Sequence, residues 1–216
     1  MAAYFSAFSV LLRMATGPLA ILMVSDRFSL ELQAIYYSFL SLAAVQWVFE
    51  LGMSTSLMHR LSAADAVVDR AKYVAFGLVF SVVSASLLFV GLYSVGCWVF
   101  SDLLPALWEQ AWLYFSLFVS VNLFLSVFVS VLEGTLHVDR AYFIRFVSGI
   151  VYSVTLIVFL FSDYGLWSLV AAQLAMLLSV LALSVRVVEY IRDIKHVGFK
   201  WLNETFYELW GFQSKL

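Results

Sequence analysis

Two ions stand where the surrounding sequence holds none. Arg13 is the single charge in residues 4–25, and Glu50 closes the uncharged run that begins at Leu32. If the first of these segments crosses a bilayer outward and the second returns inward, the two side chains reach depths that match within about one helical turn. Unpaired ions near hydrocarbon are costly, so Arg13 and Glu50 are expected to approach each other. Such a pair either clamps two helices or lines a polar cavity that meets an anionic headgroup or a coupling ion; failing both, Glu50 is an interfacial residue. Gly17-Pro18 follows Arg13 by about one turn. Proline removes a backbone hydrogen bond and crowds the preceding turn, so Pro18 bends the helix, as a hinge or as a static packing kink. Gln46, Asn122 and Gln173 carry uncharged polar groups that either line a cavity or hydrogen-bond between helices. Ser116, Ser120, Ser126 and Ser130 fall on the same segment as Asn122, at spacings that let helices approach closely and bond across the contact.

Hydrolytic, redox and metal chemistry find little to work with. His59, His137 and His196 all fall in or beside polar connections, so no pair of them can ligate a haem between helices, and no zinc spacing occurs. Gly52-Met53-Ser54-Thr55 offers a serine after a glycine but no membrane-embedded histidine to activate it. Glycine loops of the phosphate-cradling kind are absent from the sequence. The lone Cys97 rules out an intrachain disulfide and reads as a small apolar filler. An enzyme is not expected, and neither a metal nor a cofactor is implied. A net charge of −2 and a pI near 5.9 give no electrostatic case for nucleic acid.

The elements that must position these residues follow from composition. Of 216 residues, 64% are apolar and only 12% are Asp, Glu, Lys or Arg, about half the charged share of a soluble domain. Crossing a hydrocarbon core of about 30 Å takes about 20 helical residues, and the charge-poor runs supply six candidates. These are residues 4–25, 32–52, 73–101, 110–132, 141–162 and 164–187. Lipid cannot satisfy free backbone groups, and continuous apolar runs without period-two alternation exclude a barrel. The expected fold class is therefore all-α, a polytopic transmembrane helical bundle occupying residues 1–198. The amino terminus lacks a basic leader region, so residues 4–25 read as a retained helix.

Lys and Arg accumulate in short cytoplasmic connections, which orients the bundle. Arg60, Arg70 and Lys72 lie between the second and third spans and Arg140 and Arg145 between the fourth and fifth. Arg186, Arg192, Lys195, Lys200 and Lys215 follow the sixth. Only Arg27 faces the other way, so both termini are expected in the cytoplasm of a multi-pass membrane protein. Tyr36, Tyr37, Trp98, Trp108, Trp112, Tyr164 and Trp167 fall near the outer ends, where amphipathic rings suit the headgroup level.

Several short stretches carry a likeness. Glu50-Leu51-Gly52-Met53-Ser54-Thr55 is followed by His59-Arg60-Leu61-Ser62; Glu133-Gly134 closes the fourth span; and Tyr164-Gly165-Leu166-Trp167-Ser168-Leu169 leads into the sixth. In order and spacing over nearly the whole chain, these resemble polysaccharide-biosynthesis membrane proteins. That group includes the O-antigen flippases, within the superfamily of multidrug, lipid-linked oligosaccharide and polysaccharide exporters. The resemblance implies a transporter that carries an undecaprenyl-linked oligosaccharide across the bacterial inner membrane. It also implies two six-helix lobes about a cleft, of which this chain supplies one. The second lobe would come from homodimerisation or from a separate chain. In that setting Arg13, Glu50, Pro18, Gln46 and Asn122 are candidates for the substrate pathway. Arg60, Arg70, Lys72, Arg140 and Arg145 would form a cationic mouth for a diphosphate, when not simply orienting the protein.

Residues 199–216 place Phe199, Leu202, Phe206 and Trp210 near one helical face, which reads as an interfacial amphipathic tail or as a truncated link to a seventh span. Two other functions fit the same composition. One is a non-transporting membrane scaffold or fragment, and the other is half of a multidrug antiporter.

Overall fold

Apolar runs of this length can satisfy their backbone only by coiling, and the chain does so almost throughout. The computed structural model describes residues 2–50, 52–64, 66–135 and 137–184; over residues 2–15 it describes the backbone and the Phe8 side chain. Among these residues eight α-helices and no strand occur: α1 (Ala2–Arg27), α2 (Leu30–Ala43), α3 (Gln46–Glu50), α4 (Met53–Ala63), α5 (Val67–Val99), α6 (Pro105–Gly134), α7 (Val138–Phe161) and α8 (Trp167–Leu183). The protein is an all-α bundle.

Four stretches, Leu30–Ala63, Val68–Val99, Pro105–Gly134 and Val138–Phe161, are long and apolar enough to cross a membrane. The 17 residues of α8 are apolar too, and they rise about 26 Å. This is a multi-pass membrane protein. The amphipathic tail read at residues 199–216 lies outside the described residues.

The second span departs from the single helix expected over residues 32–52. It breaks after Ala43, where the N–H groups of Val45, Trp47 and Val48 donate to carbonyls three residues back. That tighter winding is the 3₁₀ pattern, and it offsets α3 from α2. A second break follows Glu50, at Gly52, whose φ of 67° lies in the left-handed region that glycine enters without a Cβ clash. The segment is therefore three short helices in series.

The third span starts earlier than the charge-free run from residue 73, because a helix need not stop at the hydrocarbon edge. Asp69 in the first turn of α5 favours the helix dipole and pairs with Lys72 at 3.1 Å. Arg70 Nε donates to the Ala64 carbonyl at 2.8 Å, fastening the α4–α5 connection. Pro105 opens α6 at a position where a missing N–H costs nothing.

α6 is the axis of the bundle. It packs against α5, α8, α4 and α7, while α1 and α8 both pack along α7. Short connections reverse the chain between α5, α6 and α7, so the 64–66 and 135–137 connections share one end, the basic end. The opposite, or far, end carries residues 100–104 and 162–166. There Arg27 Nη1 donates to Asp163 Oδ1 at 3.0 Å and to the Phe161 carbonyl at 2.8 Å. Asp163 and Gly165 take positive φ values of 57° and 58° to reverse the chain into α8.

Trp108 and Trp112, expected at the headgroup level, are instead buried at 5% and 0% exposure. Their rings pack among Phe39, Phe100 and Phe115, with Phe39 and Trp112 centroids 4.6 Å apart. The indole Nε1 of Trp112 donates to the Leu92 carbonyl at 3.2 Å, and a Cβ at Gly96 would overlap the same indole. The cluster gives aromatic rings a helix-to-helix role rather than an interfacial one. Trp98 and Tyr164 do stay exposed, at 79% and 56%.

Candidate functional site

Between α1 on one side and the broken α2–α3–α4 segment on the other lies a cavity of about 760 Å³, backed by α6, α7 and α8. Its volume falls in the range of small-molecule sites. The breaks of the second span place Gln46 at the start of α3 and Glu50 at its end, and both line the cavity. Gln46, Glu50 and Ser54 are four residues apart, the spacing of one helical face, and they keep to one wall of the cavity despite the break at Gly52.

The opposite wall is fixed by amides. Asn122 of α6 donates through Nδ2 to Gln173 Oε1 of α8 at 3.0 Å, and both line the cavity. With Nδ2 committed, Oδ1 is left buried and without a hydrogen-bond partner among the described residues. Ser126, Ser148 and Ser153 add hydroxyls; Tyr36, Tyr37, Tyr152 and Trp47 add aromatic faces. Tyr36 is 1% exposed and its hydroxyl has no hydrogen-bond partner among the described residues. Buried polar groups in this state are uncommon and hold unspent hydrogen-bonding capacity for a ligand or water.

At the basic end the cavity reaches Arg145, whose Nη1 sits 2.7 Å from Glu133 Oε1 while Nη2 donates to Oε2 at 3.0 Å. This bidentate pair joins α7 to α6, with Glu133 the more buried partner at 9% exposure against 45% for Arg145. Beside it, a Cβ on Gly134 would stand 2.6 Å from Leu61 Cβ and 3.1 Å from the Met58 carbonyl. Glycine is thus what lets α6 meet α4 so closely.

Of the five candidate pathway residues, Glu50, Gln46 and Asn122 meet at the cavity. Pro18 lies in an α1 that runs on through it and is exposed, while the adjacent Gly17 and Thr16 contribute to the lining. Arg13 belongs to α1, but its side chain, and so its approach to Glu50, lies outside the described residues. Glu50 makes no ion pair or hydrogen bond with a described residue. Among the loop cations only Arg145 contributes to the lining. Arg70 and Lys72 are engaged locally, Arg140 is exposed, and Arg60 is half-buried on α4.

Sequence reasoning missed the three tyrosines, Ser148 and Ser153. Tyr36 and Tyr37 read as headgroup aromatics, and nothing in their spacing separates that role from an inward one. Glu133 was visible only as part of a motif; its ion pair depends on α6 and α7 meeting at the right height. The serines of α6 act differently from the expectation of bonds between helices. Ser116, Ser120, Ser126 and Ser130 each donate to a carbonyl three or four residues back on α6 itself. Small size, rather than a cross-helix bond, is their contribution to packing.

Compared with protein-family models, curated proteins and solved structures, the chain matches none.

Proposed function

We propose that this chain is one lobe of a flippase-type transporter, moving a lipid-linked oligosaccharide across the bacterial inner membrane with its basic end and both termini toward the cytoplasm. The observation that carries this reading is the large cavity inside an apolar bundle, walled by amides, hydroxyls and tyrosines. A membrane scaffold has no need to hold Asn122, Gln173 and Glu50 around open space, because each polar group kept from water and lipid costs free energy. The glycan would meet the amide and aromatic wall, and its diphosphate the Arg145 end, where Glu133 is displaced as partner. Residues on α1, Arg13 among them, would complete the wall that the substrate passes. A second lobe, from another copy or another chain, would close the pathway.

The test is transport in proteoliposomes loaded with a fluorescent undecaprenyl-diphosphate oligosaccharide. Its transfer between leaflets is read by protection from an impermeant quencher. Asn122→Leu and Gln173→Leu together are expected to cut the transfer rate at least about tenfold, since each deletes an amide the ligand would bond. Unchanged transfer in the double variant would sink the reading. Efflux of a cationic dye by the same vesicles would favour the multidrug antiporter alternative.

A further inference from the structure

The cavity stops short of the far end. On α1 its lining ends at Ile21 and on α7 at Leu156, while the helices run on to Arg27 and Phe161. At the rise of an α-helix, those remaining ends leave a layer of about 8 Å between the cavity and the far surface. Val24 of α1, Ile35 of α2 and Leu160 of α7, all fully buried, belong to it. The layer is thin, and α1 is its least anchored part. The aromatic interlock of Phe39, Phe100, Trp108, Trp112 and Phe115 lies on α2 and α6 and at the end of α5, whereas the extensive packing of α1 is with α7.

A single side chain ties α1 across this layer. Arg27, the last residue of α1, donates to the Asp163 carboxylate and to the Phe161 carbonyl, and its guanidinium stands 5.2 Å from the centroid of the Phe161 ring. Among the described residues it is the one cation at the far end, although Asp26, Glu31, Asp102 and Glu109 lie there too. No other ion pair can take its place. The α7–α8 turn uses glycine at 165 but carries a carboxylate at 163, in the same left-handed region, and that carboxylate is the one Arg27 holds. Asp163 is exposed and Arg27 partly so, hence water competes and the tie is weak. A weak polar tie over a thin apolar layer stays shut by default and opens at modest cost.

We propose that Arg27 is the latch of a far-side gate: bonded to Asp163 and Phe161 it holds α1 against the α7–α8 turn, and its release lets the outer part of α1 leave α7 and opens the cavity on that side. The interlocked α2, α5 and α6 stay in place as the frame against which α1 moves. The structure is thus the form closed at the far end, with the cavity reaching the basic end at Arg145. That the gate lets a glycan out rests on the transport reading; the change in access does not.

Thiol labelling from each side of the membrane tests it. Gly149→Cys puts a thiol on the cavity wall, where an added Cβ meets nothing within 4 Å. Asp102→Cys, exposed in the α5–α6 connection, marks the far surface. Each is made in the full chain carrying Cys97→Ala, and an impermeant maleimide is added to right-side-out and to inverted vesicles. From the face that labels Asp102→Cys, reaction at Gly149→Cys is expected to be slow, and Arg27→Ala should speed it about fivefold by shifting the closed form toward the open one. Asp163→Asn keeps the left-handed turn, which asparagine also enters, and should speed it about twofold. Glu109→Gln, which removes an exposed charge at the same end, should leave the rate unchanged. If Arg27→Ala does not fold, Asp163→Asn decides alone. Labelling of Gly149→Cys at equal rates from both faces of the unaltered latch would overturn the proposal, as would a far-side rate that neither latch variant moves. Glycan transfer untouched by Asn122→Leu with Gln173→Leu would remove the transport reading and leave a responsive gate standing.

Discussion

The far end of the bundle is filled by interlocked aromatic rings, whereas beside α1 the bundle is opened by a cavity that reaches the basic end at Arg145, although both regions are built from the same apolar helices. At the far end Phe39, Phe100, Trp108, Trp112 and Phe115 interlock, and Gly96 lets the Trp112 indole lie against the α5 backbone. Toward the basic end the second span breaks twice, and the chain surrounds space with Glu50, Gln46, Asn122 and Gln173. Each end also carries an arginine–carboxylate pair, but the two pairs differ in setting. Asp163 is 73% exposed beside Arg27, whereas Glu133 is 9% exposed beside Arg145. A packed end gives the rest of the bundle a fixed frame, and polar open space can be held only against such a frame.

The sharpest way to break this contrast is to hollow the filled end. Trp112→Ala removes the largest fully buried ring and its bond to the Leu92 carbonyl, and should cost about 3–5 kcal/mol of stability. Reversible unfolding in detergent, monitored by tryptophan fluorescence or circular dichroism, would measure it. A loss under about 1 kcal/mol would mean that the far end is no frame at all.

The two ion pairs offer an intermediate effect. Arg145→Ala strands the buried Glu133 carboxylate and is expected to cost about 1–3 kcal/mol. Arg27→Ala, acting on an exposed partner, should cost less than about 1 kcal/mol. Equal losses in the same unfolding assay would contradict the difference in burial. Smallest of all is Ser116→Ala, expected to fall within about 0.5 kcal/mol of the unaltered chain, because its hydroxyl bonds only to its own helix. A larger loss would restore the serines of α6 to a bonding role between helices.

Much of the bundle was legible in its residues. Long uncharged runs fixed the helical class, and the charges at 69–72, 102, 109 and 139–145 marked the connections within a few residues. Gly52 hinted at the break it makes, since glycine is what a left-handed position asks for, but Ala43–Val45 carried no such mark. Glu50, Gln46, Asn122 and Gln173 stood out as polar groups in apolar runs. Their meeting did not, because it depends on α6 and α8 facing the broken segment at one height.

The sequence by itself determined that this chain lies in a membrane, that it is helical and where it turns, because hydrocarbon penalises charge and free backbone groups wherever they fall. Only the tertiary structure decided which polar groups share a cavity, which tryptophans are core and which carboxylate is buried. Those outcomes depend on the rotation and height at which helices pack, and helices wrapped in lipid are apolar on nearly every face, so little in the pattern tells an inward face from an outward one.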